Sequence, residues 1–121
     1  MSFFDQVKEL TDSGRAQIIH IICPPRSVST FFEISLAEAL NGNQINEPFF
    51  GQDFNGGIRQ IYERLLQLGA AEATPGNPVK LVTKDIAKHV KEPERLAELV
   101  THFIFLVRDP HITMPSLVTR L

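Results

Sequence analysis

Arg26, Ser27, Ser29 and Thr30 crowd a five-residue loop, Arg26-Ser27-Val28-Ser29-Thr30, between an apolar run and an amphipathic pattern. A guanidinium supplies a fixed positive charge and several donors, and three hydroxyls supply more. If the amphipathic pattern is a helix, its first backbone N–H groups point at the same place. Those residue types in that order are suited to holding a phosphate or sulfate. Glu47, Lys84 and Arg108 each fall at or just after a predicted strand. They add a carboxylate able to accept a proton and two cations able to neutralise an anion.

These residues need elements to position them. Phe3, Phe4, Val7 and Leu10 recur at helical spacing over residues 2–12. Ile18 to Cys23 is nearly continuous in apolar residues, the pattern of a strand buried on both faces. Pro24-Pro25 ends it, and the helix after the loop runs to about Leu40. Thr30 and Glu33 there have the spacing of a capping box. Phe32, Leu36 and Leu40 share a face, and Asn41-Gly42-Asn43 closes the helix. A short strand is expected at Gln44 to Asn46, and a polar loop at Gly51 to Gly57. Ile58, Ile61, Tyr62, Leu65 and Leu66 mark a helix ending at Gly69. Val79 to Thr83 reads as a strand, and Lys84 to Val90 as a turn or short helix. Pro93 opens a helix whose Leu96, Leu99 and Val100 face inward. Phe103 to Val107 is the most apolar strand, and Asp109-Pro110 then starts a last helix.

Alternating strands and helices predict an α/β domain with a mainly parallel four-stranded sheet. Ligands of such sheets sit outside the carboxyl ends of the strands. Arg26, Glu47, Lys84 and Arg108 are therefore expected to converge on one edge.

The chain has 121 residues, one domain's length, and is 43% apolar and 21% charged, as soluble globular proteins are. A net charge of -2 gives no general attraction to nucleic acid or acidic membranes, so any anion site is local. Cys23, the single cysteine, makes no internal disulfide, which suits a cytoplasmic location. No apolar stretch approaches the roughly 18 residues of a membrane span, and MSFFDQVKEL lacks the marks of a secretory signal. Neither zinc spacing nor a Gly-x-Ser-x-Gly elbow occurs, so no metal is expected. The glycines and lysine of the nucleotide-hydrolase phosphate loop are missing from residues 24–30, as is the dinucleotide fingerprint.

PRSVST at a strand-to-helix turn resembles the 5′-phosphosulfate loop of sulfotransferases. FLVRDPHITMPSL, residues 105–117, is similar to the family's 3′-phosphate segment, with Arg108 and Ser116 on its two binding positions. Asn46-Glu47-Pro48-Phe49-Phe50 and Lys84-Asp85-Ile86-Ala87-Lys88-His89 resemble the D-E-P-F and K-x-M-A-x-H stretches of a bacterial-type subgroup. The resemblance runs from about residue 18 to the end. It implies a three-layer P-loop-like fold over residues 1–121 and the donor 3′-phosphoadenosine 5′-phosphosulfate. It implies that Arg26, Ser27, Val28, Ser29 and Thr30 hold the 5′ end. Arg108 and Ser116 would hold the 3′-phosphate, and Glu47 would be the base for a small-molecule acceptor. Lys84 and His89 would be supporting groups. Val28 stands where many members have glycine. The family continues beyond the 3′-phosphate segment, so this chain corresponds to its N-terminal portion.

Other readings of the same residues stay open. Arg108-Asp109 also fits a local ion pair with a helix cap. Ser27, Ser29 and Thr30 also fit plain caps, and Glu47 a solvated loop residue. His20 and Cys23 fit core positions. A non-catalytic nucleotide-binding or interaction module is the main alternative function, with an exposed sheet edge favouring a homo-oligomer. A kinase or NTP hydrolase of related fold is the second.

Overall fold

Ser2 starts the first helix. Its hydroxyl accepts the Asp5 N–H at 3.1 Å, and α1 runs Phe3–Asp12. The computed structural model describes residues 2–23, 29–39, 43–46, 48–86, 90, 92–108 and 113–118. The chain continues as β1 (Ala16–Cys23), α2 (Ser29–Ala39), β2 (Asn43–Asn46), α3 (Phe54–Gln67) and β3 (Val79–Ile86). It ends as α4 (Pro93–Ala97), β4 (His102–Arg108) and β5 (Thr113–Val118). No helix among the described residues is long and apolar enough to cross a membrane.

The sheet order is β2-β3-β1-β4-β5. The first four strands are parallel, and β5 returns antiparallel along β4. Both faces of the parallel part are covered. Ile18 and Leu81 pack with Val7 and Leu10 of α1, with Ile58, Ile61 and Leu65 of α3, and with Leu96 beneath α4. On the opposite face Ile19, Ile21, Val82 and Ile104 meet Ala37 and Leu36 of α2. The α/β class with a parallel sheet is thus present, in three layers. Apolar residues in β1 point both ways because each face has its own helices.

Four expectations change. Helix α3 starts at Phe54, not after Gly57. Asp53 is the cap, its carboxylate accepting the Gly56 N–H at 2.7 Å, and Gly56 and Gly57 lie in the first turn. Gly57 is needed there because a Cβ would lie 2.2 Å from Phe49 Cδ1. Strand β3 continues through Lys84 and Asp85 instead of turning after Thr83, since both side chains are buried in the sandwich. Thr30 is not a cap, as α2 already includes Ser29. Glu33 is buried, at 1% exposure.

The last change concerns the end of the chain. Where a helix was expected after Arg108, β5 forms a hairpin partner of β4. Pro115 resists a helix interior and is tolerated in an edge strand, which is where β5 lies.

Candidate functional site

The carboxyl ends of three neighbouring strands define one edge. Cys23 at the end of β1 is in register with Ile86 at the end of β3. On its other side β1 pairs in parallel with β4, which ends at Arg108. The connection after β1 leads to α2 on one face, and that after β3 to α4 on the other. Adjacent strands whose connections leave to opposite faces open a crevice between them. The start of α2 belongs to this edge.

The sequence-predicted residues divide into three groups. Arg26, Ser27, Val28, Glu47 and His89 lie outside the described residues. Ser29 and Thr30 form the first turn of α2, and Arg108 is the last residue of β4. Their backbones are thus at the expected edge.

Ser116 is not there. It is in register with Phe105, whereas Arg108 is in register with Thr113, three positions nearer the rim. Three positions of a strand span roughly 10 Å. An odd separation also puts the two positions on opposite faces of the ladder.

Lys84 is in the strand rather than beyond it. It is 5% exposed, on the face covered by α2, where Glu33 is 1% exposed. It belongs to the packing between helix and sheet beneath the edge, not to the rim.

The opposite face carries a cluster that sequence reading passed over. His20, Thr83 and Asp85 are fully buried there. Thr83 Oγ1 is hydrogen-bonded to His20 Nδ1. His20 Nε2 lies 3.7 Å from Asp85 Oδ2. Asp85 Oδ1 accepts the backbone N–H of Phe49 at 3.2 Å. Cys23 Sγ donates to the Asp85 carbonyl at 3.6 Å. The His20 ring meets Phe49 and Phe103 edge-on. Burial pushes the imidazole down from 6.5 to about 3, so His20 is neutral at ordinary pH. A neutral ring facing a carboxylate carries its proton on the nitrogen nearest it. The favoured tautomer is Nε2–H, with Nδ1 accepting from Thr83.

No family model, curated protein or solved structure matches the chain.

The hydroxyl, imidazole and carboxylate are in the order of a hydrolytic triad. All three are closed off from solvent, which makes the array a structural link and not a nucleophile. Among the described residues no group of three or more His, Cys, Asp or Glu is placed to hold a metal ion. One signal for the cluster existed. Thr83 and Asp85 alternate in phase along one strand, and the expected end of β3 at Thr83 hid it.

Proposed function

We propose that the carboxyl edge of β1 and β4 is the donor site of a sulfotransferase-like protein that takes 3′-phosphoadenosine 5′-phosphosulfate. The observation that carries this reading is the register of the sheet. Strands β1 and β4 are direct parallel neighbours, so the loop after Cys23 and the terminal Arg108 start from adjacent points of one rim. In this reading Arg26 with Ser27, the Val28 backbone, Ser29 and Thr30 cradles the 5′-phosphosulfate at the start of α2. Arg108 takes the 3′-phosphate.

Transfer then needs little covalent help. An acceptor hydroxyl or amine gives its proton to Glu47 and attacks sulfur. The bond from sulfur to the bridging oxygen breaks, and adenosine 3′,5′-bisphosphate leaves. Charge grows on the bridging oxygen, where Arg26 offsets it. Positioning and charge stabilisation supply most of the rate in such transfers.

The register of Ser116 favours a second reading. A hydroxyl displaced from the 3′-phosphate leaves Arg108 alone there, which suits a module that binds nucleotide without transferring sulfate.

Calorimetric titration with adenosine 3′,5′-bisphosphate, ADP and AMP tests the donor site. The bisphosphate binds more tightly than either, and Arg108→Ala weakens it by about 1.5–3 kcal/mol, as expected for a hydrogen bond to a charged group. Equal affinities for the three nucleotides refute reading of the 3′-phosphate. Bisphosphate binding without turnover on any acceptor selects the second reading.

A further inference from the structure

The buried Thr83–His20–Asp85 line ends on a backbone, not on a pocket. Asp85 accepts the Phe49 N–H, in the turn Pro48–Gly51 that connects β2 to α3. That turn is closed by Gln52 N–H donating to the Phe49 carbonyl at 3.2 Å, with Gly51 at φ 69. The Phe49 ring, 1% exposed, fills the space between the turn, the sheet and the first turn of α3. It stacks on Phe54 at 5.9 Å. Asp85 is one residue from the carboxyl end of β3, so the turn is fastened at the rim.

We infer that Asp85 is the positioning residue of this rim, holding the 48–51 turn through the Phe49 N–H while the His20 ring, hydrogen-bonded to Thr83, faces the carboxylate from the other side. A carboxylate at this depth needs compensating polar groups around it. The Phe49 amide serves Oδ1. His20 Nε2 faces Oδ2 at 3.7 Å, and Thr83 Oγ1, a hydroxyl able to donate or accept, is hydrogen-bonded to Nδ1 and follows the tautomer that the carboxylate selects. The carboxylate therefore sets the ring tautomer, and the ring sets the direction of the Thr83 hydroxyl. The anchored turn follows directly on position 47, and in this respect the inference rests on the reading of the rim as a donor site.

Asp85→Asn and Asp85→Ala separate the parts. The amide of Asn keeps an oxygen for Phe49 but presents its NH2 to His20. The ring then accepts at Nε2 and donates from Nδ1 to Thr83. Imidazole 15N shifts are expected to report Nε2–H in the wild type and Nδ1–H in Asp85→Asn. Amide exchange at Phe49 is expected to stay slow in Asp85→Asn and to quicken about tenfold or more in Asp85→Ala. The same tautomer in wild type and Asp85→Asn overturns the inference, as does unchanged Phe49 exchange in Asp85→Ala. Adenosine 3′,5′-bisphosphate affinity is expected to fall in Asp85→Ala and to hold in Asp85→Asn. Unchanged affinity in Asp85→Ala despite faster exchange overturns the link to the rim. A wild type that does not bind the bisphosphate sinks the donor reading instead, and the tautomer and exchange results still decide the anchor.

Discussion

Replacing Gly57 by alanine ought to stabilise an ordinary helix, and here it should do the opposite. In a helix interior alanine is favoured over glycine by about 1 kcal/mol. At Gly57 the added Cβ would lie 2.2 Å from Phe49 Cδ1 and 2.4 Å from Cε1. Carbon atoms in contact sit at about 3.5–4.0 Å, so the ring must retreat by more than 1 Å. It has nowhere to go. Phe54 stacks on it at 5.9 Å, and the His20 ring meets it edge-on at 6.3 Å. Overpacking of this kind costs about 1–3 kcal/mol, and a trapped ring belongs at the upper end. Subtracting the helical gain leaves a net loss of about 2 kcal/mol for Gly57→Ala. Gly56→Ala is the control. Its Cβ would meet the Gln52 amide oxygen at 2.6 Å and Asp53 Oδ1 at 2.9 Å. The exposed Gln52 side chain swings away, and a small loss at the cap offsets the helical gain, so the net change is about zero. Urea unfolding measures both, read as a shift of midpoint at constant slope. A Gly57→Ala protein as stable as the wild type would refute the wedged ring as the reason α3 carries this glycine.

Acid should destabilise the fold through His20. The unfolded imidazole takes its proton near 6.5 and the folded one only at about 3. The unfolded state thus binds more protons between those values, and stability is full above pH 6.5 and lost as pH falls toward 3. The slope from this group is about 1.4 kcal/mol per pH unit. His20→Gln should flatten the wild-type stability curve between pH 6 and 4 by about that amount, and parallel curves count against it. Glu33→Gln and Lys84→Met each alter a polar side chain buried on the α2 face of the sheet. Each is expected to cost about 1–3 kcal/mol by chemical denaturation, because the partner of a buried polar group is left unsatisfied; no loss in either counts against a buried polar role for these side chains. Ser116→Ala should leave bisphosphate affinity unchanged in the titration where Arg108→Ala weakens it, and equal losses would contradict the β4–β5 register.

Much of the fold was legible because its signals are short in range. Apolar runs marked β1 and β4. Pro93 and Gly69 marked a helix start and a helix end, and both stand where expected. The errors came where a local signal was outvoted by a distant partner. Two consecutive glycines read as a loop, and became helix because Phe49 needs the space and Asp53 supplies the cap. Lys84-Asp85 read as the start of a turn or short helix after the strand. They stayed in the sheet because α2 covers one of them and the Phe49 amide awaits the other. Asp109-Pro110 read as a helix start, but Thr113–Val118 found a ladder along β4 instead.

The same difference of range decides what the sequence could say about the site. That Cys23, Ile86 and Arg108 end on one rim follows from alternation of strand and helix, which pattern alone conveys. That Ser116 misses the rim depends on whether six residues coil or extend, and local propensity there is split by Pro115. The Thr83–His20–Asp85 line was harder still. Each member is unremarkable in its own strand, and they meet only because residue 20 is opposite residue 83 in the register of β1 with β3. A single insertion of one residue in β3 before Thr83 would turn its hydroxyl and the Asp85 carboxylate to the α2 face. The cluster is therefore a property of the pairing, and its loss should accompany any change that slips β3 against β1.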